Sequence, residues 1–301
     1  MRNEKNIFWS NKVFSDGGVA VLVLVYNHNG AGRKVRRQKK DRQGRTATVL
    51  ANGPSAREIV TERKDLLENT DLLVLNDFGN TDKFFELKPT YYILLDPAYF
   101  DYEFTNPGLN ENNTDNSRSR ERQLMDNFKK VDWQMMLFIP AIYKEKKVKA
   151  LFDANPHINV VPYYATRVLG YDGFQNFMYK RAQGVPSSRN VIIPAMMLMP
   201  LLGYKTVYLY GCEISWTKTM DVDPENGRMF FNDRHFYSKD EIRYFGKGAY
   251  LWWLEAISEM LRGVEQVAKY ARANGVHIIN RTKGSFIDAF VYENPDTIEK
   301  R

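Results

Sequence analysis

The chain has 301 residues, 44% of them apolar and 14% aromatic, enough to bury a full core as one large α/β domain or two small ones. Its one cysteine, Cys212, excludes an internal disulfide and any multi-cysteine metal site, and points to a reducing compartment. The formal net charge of +7 has a single source: residues 33–45 carry eight Lys or Arg against one acid, Asp41, so the remainder is neutral.

Residues 1–45 read as an N-terminal extension, polar and then basic. In it Val19 to Tyr26 is an apolar run far shorter than the roughly 18 residues of a membrane span, and reads as a strand. No signal-peptide pattern accompanies it, so a cytoplasmic location is expected, peripheral to the inner membrane if the basic segment acts there. The segment Arg33 to Arg45 fits an anionic membrane surface, nucleic acid or solvent alone. Nucleic acid is the weakest of these, because the charge does not recur elsewhere as a binding face requires.

The α/β pattern starts at Thr46. A strand over 47–52 runs into Asn52-Gly53-Pro54-Ser55 and a helix within 55–69. Strands follow at Thr70 to Asn76 and Tyr91 to Leu95. Residues 105–120, rich in Asn, Asp, Ser and Arg, read as a mobile loop before the next helix. Met135 to Ile139 and Ile158 to Pro162 are strands, with a helix over Lys144 to Phe152 between them. Val191 to Leu202 is an apolar helix closing at Gly203, and Thr206 to Tyr210 a strand leading to Gly211. Residues 212–247 lack periodicity over a length that suggests a lid. A helix from Gly248 to Asn274 carries an apolar stripe at Tyr250, Leu254, Ile257, Leu261, Val264, Ala268 and Ala271. The last strand is Val276 to Ile279, with His277 in its core. Alternating strands and helices predict a Rossmann-like, mostly parallel sheet with helices on both faces, in a domain spanning 46–290 with a C-terminal tail at 291–301.

In such a sheet ligands bind at the carboxyl ends of the strands, against helix N-termini. Asn52 to Ser55 is therefore a candidate phosphate or nucleotide contact, the alternative being a plain strand-to-helix turn. Asn52, Asn76 and Asp96 each end a strand, so parallel strands place them on one edge, where amides and carboxylates can bond a base, ribose or phosphate. His235, in Asn232-Asp233-Arg234-His235-Phe236-Tyr237, is the best candidate for acid–base work, against a merely exposed loop histidine. His28, His157 and His277 have no comparable setting. Arg234, Tyr237 and Tyr244 can hold phosphate oxygens. Asp221-Val222-Asp223 has the form of a metal-chelating pair, but beside Pro224-Glu225-Asn226-Gly227 it reads better as a turn. No Walker lysine, Gly-x-Gly-x-x-Gly or His-Glu-x-x-His motif occurs.

Asn52-Gly53-Pro54-Ser55, followed by Asp71 to Phe78 and Leu95-Asp96-Pro97, resembles the start of the bacterial sialyltransferases of glycosyltransferase family 42. Arg189 to Glu213 resembles their central helix, strand and Gly-x-Asp segment, and Asn232 to Tyr237 their lid. The likeness covers residues 46–290 in islands. The Asn-Gly-Pro-Ser element also occurs in flagellin-modifying motility accessory factors and hydroxymethylpterin pyrophosphokinase-like proteins. The resemblance implies a modified GT-A fold and an inverting, metal-independent transfer from a CMP-activated nonulosonic or related acidic sugar to a glycan or glycolipid acceptor. No cofactor is implied. Asn52, Gly53, Pro54, Ser55, Asn76, Asp96, Asn190, Gly211 and Glu213 would contact the donor, His235 would be the general base, and Tyr237 and Tyr244 would hold the departing phosphate. The chain departs from the family at Asn190 to Pro194, where Thr/Ser-Ser-Gly is expected, at Glu213 in place of Asp, at Ser215 in place of an aromatic, and in having one lid histidine rather than two. These departures argue for a different donor or acceptor.

The leading expectation is thus a glycosyltransferase building a surface glycan such as lipopolysaccharide. A metal-dependent pyrophosphokinase-like phosphotransferase using Asp221, Asp223 or Asp96 is the second reading, and a non-catalytic nucleotide-binding protein the third. A homo-oligomeric state is left open.

Overall fold

The computed structural model describes residues 30–42, 44–100, 114–143, 155–237 and 241–299. The predictions for Val19 to Tyr26, His28, the first part of the 105–120 loop and the helix over 144–152 fall outside these residues.

The strands are β1 (Thr46–Leu50), β2 (Thr70–Leu75), β3 (Tyr91–Ile93), β4 (Met135–Pro140), β5 (Ile158–Tyr163), β6 (Thr206–Tyr210), β7 (Met220–Val222), β8 (Met229–Asp233), β9 (Glu241–Tyr244), β10 (His277–Asn280) and β11 (Val291–Tyr292). The helices are α1 (Ala31–Arg37), α2 (Ala56–Thr61), α3 (Asp82–Leu87), α4 (Thr114–Lys129), α5 (Asp172–Lys180), α6 (Ile192–Leu202) and α7 (Ala249–Ala273). Eight strands form one all-parallel sheet in the order β11-β10-β6-β1-β2-β3-β4-β5. The fold is Rossmann-like α/β.

Both sheet faces are covered, so the central strands are buried along almost their whole length. Successive side chains alternate between two cores: Val49, Leu73 and Ile93 pack under α1, α5, α6 and α7, whereas Leu50, Leu72, Val74 and Tyr92 pack under α2, α3 and α4. Helix α6 is buried almost all round, which explains its lack of a polar face. It ends at Gly203, whose φ of 107° is a left-handed cap. Gly263 lets α7 approach α6, since a Cβ there would lie 2.9 Å from Ile193 Cδ1.

Several boundaries differ from expectation. Helix α4 begins at Thr114, inside the stretch read as a loop. The lid carries its own sheet, the antiparallel β7-β8-β9, whose three- to five-residue strands are too short to show periodicity. His277 is exposed rather than buried. The apolar stripe of α7 holds at Ile257, Val264, Ala268 and Ala271, but Leu254 is 37% exposed, and Ala256, Met260, Val267 and Tyr270 are buried instead. The C-terminal tail supplies β11, and Pro295 and Ile298 accept hydrogen bonds from the Arg63 guanidinium.

The basic segment is also built in. Ala31 and Val35 of α1 are buried, and Arg42 and Arg45 turn inward to Asp71 at the amino end of β2. Asp71 further accepts from the Tyr204 hydroxyl, which lies 2.9 Å from that of Tyr91, and Arg42 donates to Tyr91 at 2.9 Å.

Candidate functional site

From β1 the chain adds β2, β3, β4 and β5 on one side, then returns to the other side of β1 for β6. The β1–β6 junction is therefore the topological switch point, where ligands of open α/β sheets bind beyond the carboxyl ends of the strands. A cavity of about 660 Å³ lies there, within the size range of small-molecule sites.

One wall is the pair of loops leaving β1 and β6. Asn52, Gly53, Pro54 and Ser55 face Gly211 and Glu213 across it. Gly53 donates to the Gly211 carbonyl at 3.0 Å, and Ser55 N–H donates to Glu213 Oε1 at 2.7 Å. A protein carboxylate thus already occupies the turn that the sequence offered to phosphate, and Ser55 makes no side-chain cap. Burial pushes the Glu213 carboxyl above its ordinary range, opposed by hydrogen bonding from Ser55. Among the described residues its Oε2 and Asn52 Oδ1 have no hydrogen-bond partner, both atoms being fully buried, while other parts of both residues line the cavity.

The floor continues to Asn76 and Asp96 at the ends of β2 and β3. Asn76, at φ 45°, uses Oδ1 to accept from Leu95 N–H at 3.3 Å, and so does structural work as well. Asp96 opens to the cavity yet is ringed by protein, and this desolvation raises its carboxyl despite the bond from Ala98 N–H at 3.0 Å. Asn190 caps the turn before α6, accepting from Ile192 N–H at 2.9 Å.

The lid forms the opposite wall. After β8 the backbone of Phe236 donates to Asn52 O at 3.0 Å, and Arg57 Nε donates to Phe236 O at 3.0 Å. These two bonds bring His235 and Tyr237 over the switch point; Arg234 lines the cavity beside them. The His235 side chain is 31% exposed, with Nδ1 3.6 Å from Asp233 Oδ1. Burial lowers its pKa, Asp233 raises it, and the charges of Arg120 and Arg243 lower it again. Burial thus favours the neutral imidazole, the form able to accept a proton. Burial likewise raises the Tyr237 phenol, which stays a hydroxyl.

Tyr244 is not at the cavity. Its hydroxyl donates to Asp223 Oδ2 at 2.8 Å, under the Arg228 guanidinium, on the outer hairpin of the small sheet. Asp221 and Asp223 are outside it too: Asp223 accepts from Glu225 N–H and Asn226 Nδ2, which is the turn the sequence suggested.

Sequence reasoning missed Lys218 and three ion-paired arginines, Arg120 of α4 with Asp77, Arg189 with Glu259 and Arg243 with Asp233, and also Trp252 and Trp253, which with Trp216 form an aromatic side wall. Arg243 Nε lies 3.1 Å from Asp233 Oδ2, and Arg189 Nε donates to Glu259 at 2.7 Å. The Trp252-Trp253 pair, off the apolar stripe of α7, was the one available signal.

Among the described residues no helix is long and apolar enough to cross a membrane. Fold and site together define a Rossmann-like α/β protein with a cavity of small-molecule size at its switch point. No protein-family model matches the chain, and no curated protein matches it.

Proposed function

We propose that this chain is an inverting, metal-independent glycosyltransferase. It would move a CMP-activated acidic sugar to a hydroxyl of a surface-glycan acceptor. The observation that carries this reading is the position of His235, an imidazole lining the cavity and held over the switch-point loops by the Phe236–Asn52 backbone bond, where burial favours its neutral form. In this reading His235 takes the proton of the acceptor hydroxyl as its oxygen bonds to the anomeric carbon. The bond from that carbon to phosphate breaks, and CMP leaves with the electron pair. Arg234, Lys218 and Tyr237, which line the cavity, offset the phosphate charge.

Thermal shift against CMP, CDP, UDP, GDP and ATP, with Mg²⁺ and with EDTA, tests the proposal, because a ligand that binds the native state alone raises Tm. Stabilisation by CMP that survives EDTA is expected. Stabilisation only by ATP or a nucleoside diphosphate with Mg²⁺ would overturn it in favour of a metal-dependent phosphotransferase. Turnover unchanged in His235→Ala would remove the base, and with it the catalytic reading.

A further inference from the structure

Four of the eight cations of the basic segment fall into two contrasting pairs. Arg42 and Arg45 are consumed by Asp71, as described above. Arg33 and Arg37 project outward, because Ala31, Gly32 and Val35 fill the inner face of α1 and a 100° step per residue leaves positions 33 and 37 opposite them.

Helix α5 extends that outer face. Arg36 donates to the Arg181 carbonyl, and Gly32 is so close to the end of α5 that a Cβ would lie 2.5 Å from Ala182 O. Burial and then the charges of Arg181 and Arg33 hold Arg36 below its ordinary pKa, as expected where three guanidinium groups gather. Lys180 and Arg181 are exposed, and the Arg181 guanidinium lies 5.3 Å from the ring of Phe177. Phe177 is itself 54% exposed and Tyr171, at the start of α5, 77%. The one acid of α5, Asp172, is paired with Lys269 of α7. Cations interspersed with exposed aromatic rings are the chemistry of a bilayer interface, where rings enter the headgroup layer and cations meet lipid phosphate.

We propose that the outer faces of α1 and α5 form one docking surface for an anionic phospholipid bilayer. Charge complementarity selects this occupant: four exposed cations, Arg33, Arg37, Lys180 and Arg181, stand with the exposed ring of Phe177, and the exposed Tyr171 precedes α5. The surface lies on the layer opposite α2, α3 and α4, and its role does not depend on the reaction carried out in the cavity.

The test is co-sedimentation of the full chain with phosphatidylglycerol–phosphatidylcholine vesicles and with pure phosphatidylcholine vesicles, at low and high salt. Binding to the anionic vesicles alone, lost at high salt, is expected. Each cation at such a surface contributes on the order of fivefold in partitioning, so Arg33→Glu/Arg37→Glu should weaken binding by at least about 25-fold. Phe177→Ser should weaken it by about tenfold. Lys129→Glu/Lys130→Glu, an equal charge change at the C-terminal end of α4, should retain binding. Circular dichroism confirms that each variant is folded. Equal loss in the α4 variant would mean that net charge alone acts and would overturn the surface. So would equal binding to phosphatidylcholine, binding unchanged in Arg33→Glu/Arg37→Glu, or failure to bind lipid while retaining a duplex DNA of similar charge density.

Discussion

Glu213 and Gly53, 160 positions apart in the chain, meet so closely that a Cβ on Gly53 would lie 1.5 Å from Glu213 Oε2. The contact joins the loop after β6 to the loop after β1, and it requires a residue with no side chain at position 53. Gly53→Ala should cost about 1–3 kcal/mol, read by urea unfolding. Combining it with Glu213→Ala should recover only part of that loss, because the Cβ would still lie 2.7 Å from Gly211 O.

The Glu213 carboxyl also makes stability depend on pH. Burial raises its folded-state pKa, so the stability it confers is complete below its unfolded value of about 4.3 and is lost as pH rises through the folded one. Glu213→Gln keeps an oxygen for Ser55 N–H without the charge. Its Tm should exceed that of the parent by about 2–4 °C at pH 7, and the gap should close towards pH 4 in thermal melts. A gap independent of pH would mean that Glu213 is not desolvated.

If His235 is the base, turnover should fall by about 10²- to 10⁴-fold in His235→Ala. The acid limb of the rate profile should lie below the ordinary imidazole value, since burial lowers this pKa. Asp233→Asn, which removes the stronger of two anions acting on His235 (the other is Glu241), should move that limb to lower pH. Arg120→Gln, which removes a repelling cation, should move it to higher pH. Opposite displacements separate electrostatic control of His235 from a general structural defect.

The two tyrosines first paired as phosphate ligands should part company. Tyr237→Phe should weaken nucleotide binding by about fivefold, the worth of one hydrogen bond of roughly 1 kcal/mol. Tyr244→Phe should leave the dissociation constant within about twofold, because its hydroxyl serves Asp223 in the outer hairpin. Isothermal titration with CMP reads both.

The anchor of the basic segment gives a further outcome. Asp71→Ala would leave Arg42, whose side chain is only 12% exposed, without its carboxylate and the buried Tyr204 hydroxyl without its acceptor. A loss of about 3–5 kcal/mol is expected by urea unfolding. Tyr204→Phe should cost about 1 kcal/mol.

What could be read in advance follows from how local each signal is. Thr70 to Leu75 and Thr206 to Tyr210 are short apolar runs whose composition alone specifies a buried parallel strand, and Gly203 marks a helix end by its own backbone freedom. The edge alignment of Asn52, Asn76 and Asp96 follows from parallel strands. The lid sheet was hidden because Val222 and Ile242 are exposed, so neither shows the alternation of a half-buried strand. Helix α4 was hidden because its first residues, Thr-Asp-Asn-Ser, favour turns when read locally. Arg120 and Arg243 reach the cavity through tertiary packing, for which no short sequence pattern exists.

Strand β1 pairs with β2 on one side and β6 on the other. During synthesis β2 follows β1 at once, whereas Thr206 lies 156 residues beyond Leu50. At about 5–20 residues per second, the ribosome takes roughly ten to thirty seconds to deliver it. Throughout that interval the nascent chain presents the unpaired side of its most central strand, flanked by the very loops that will later close the cavity. Translation speed between residues 50 and 206, and the holdase chaperones that meet the emerging chain, therefore bear directly on how much of this protein reaches its native state.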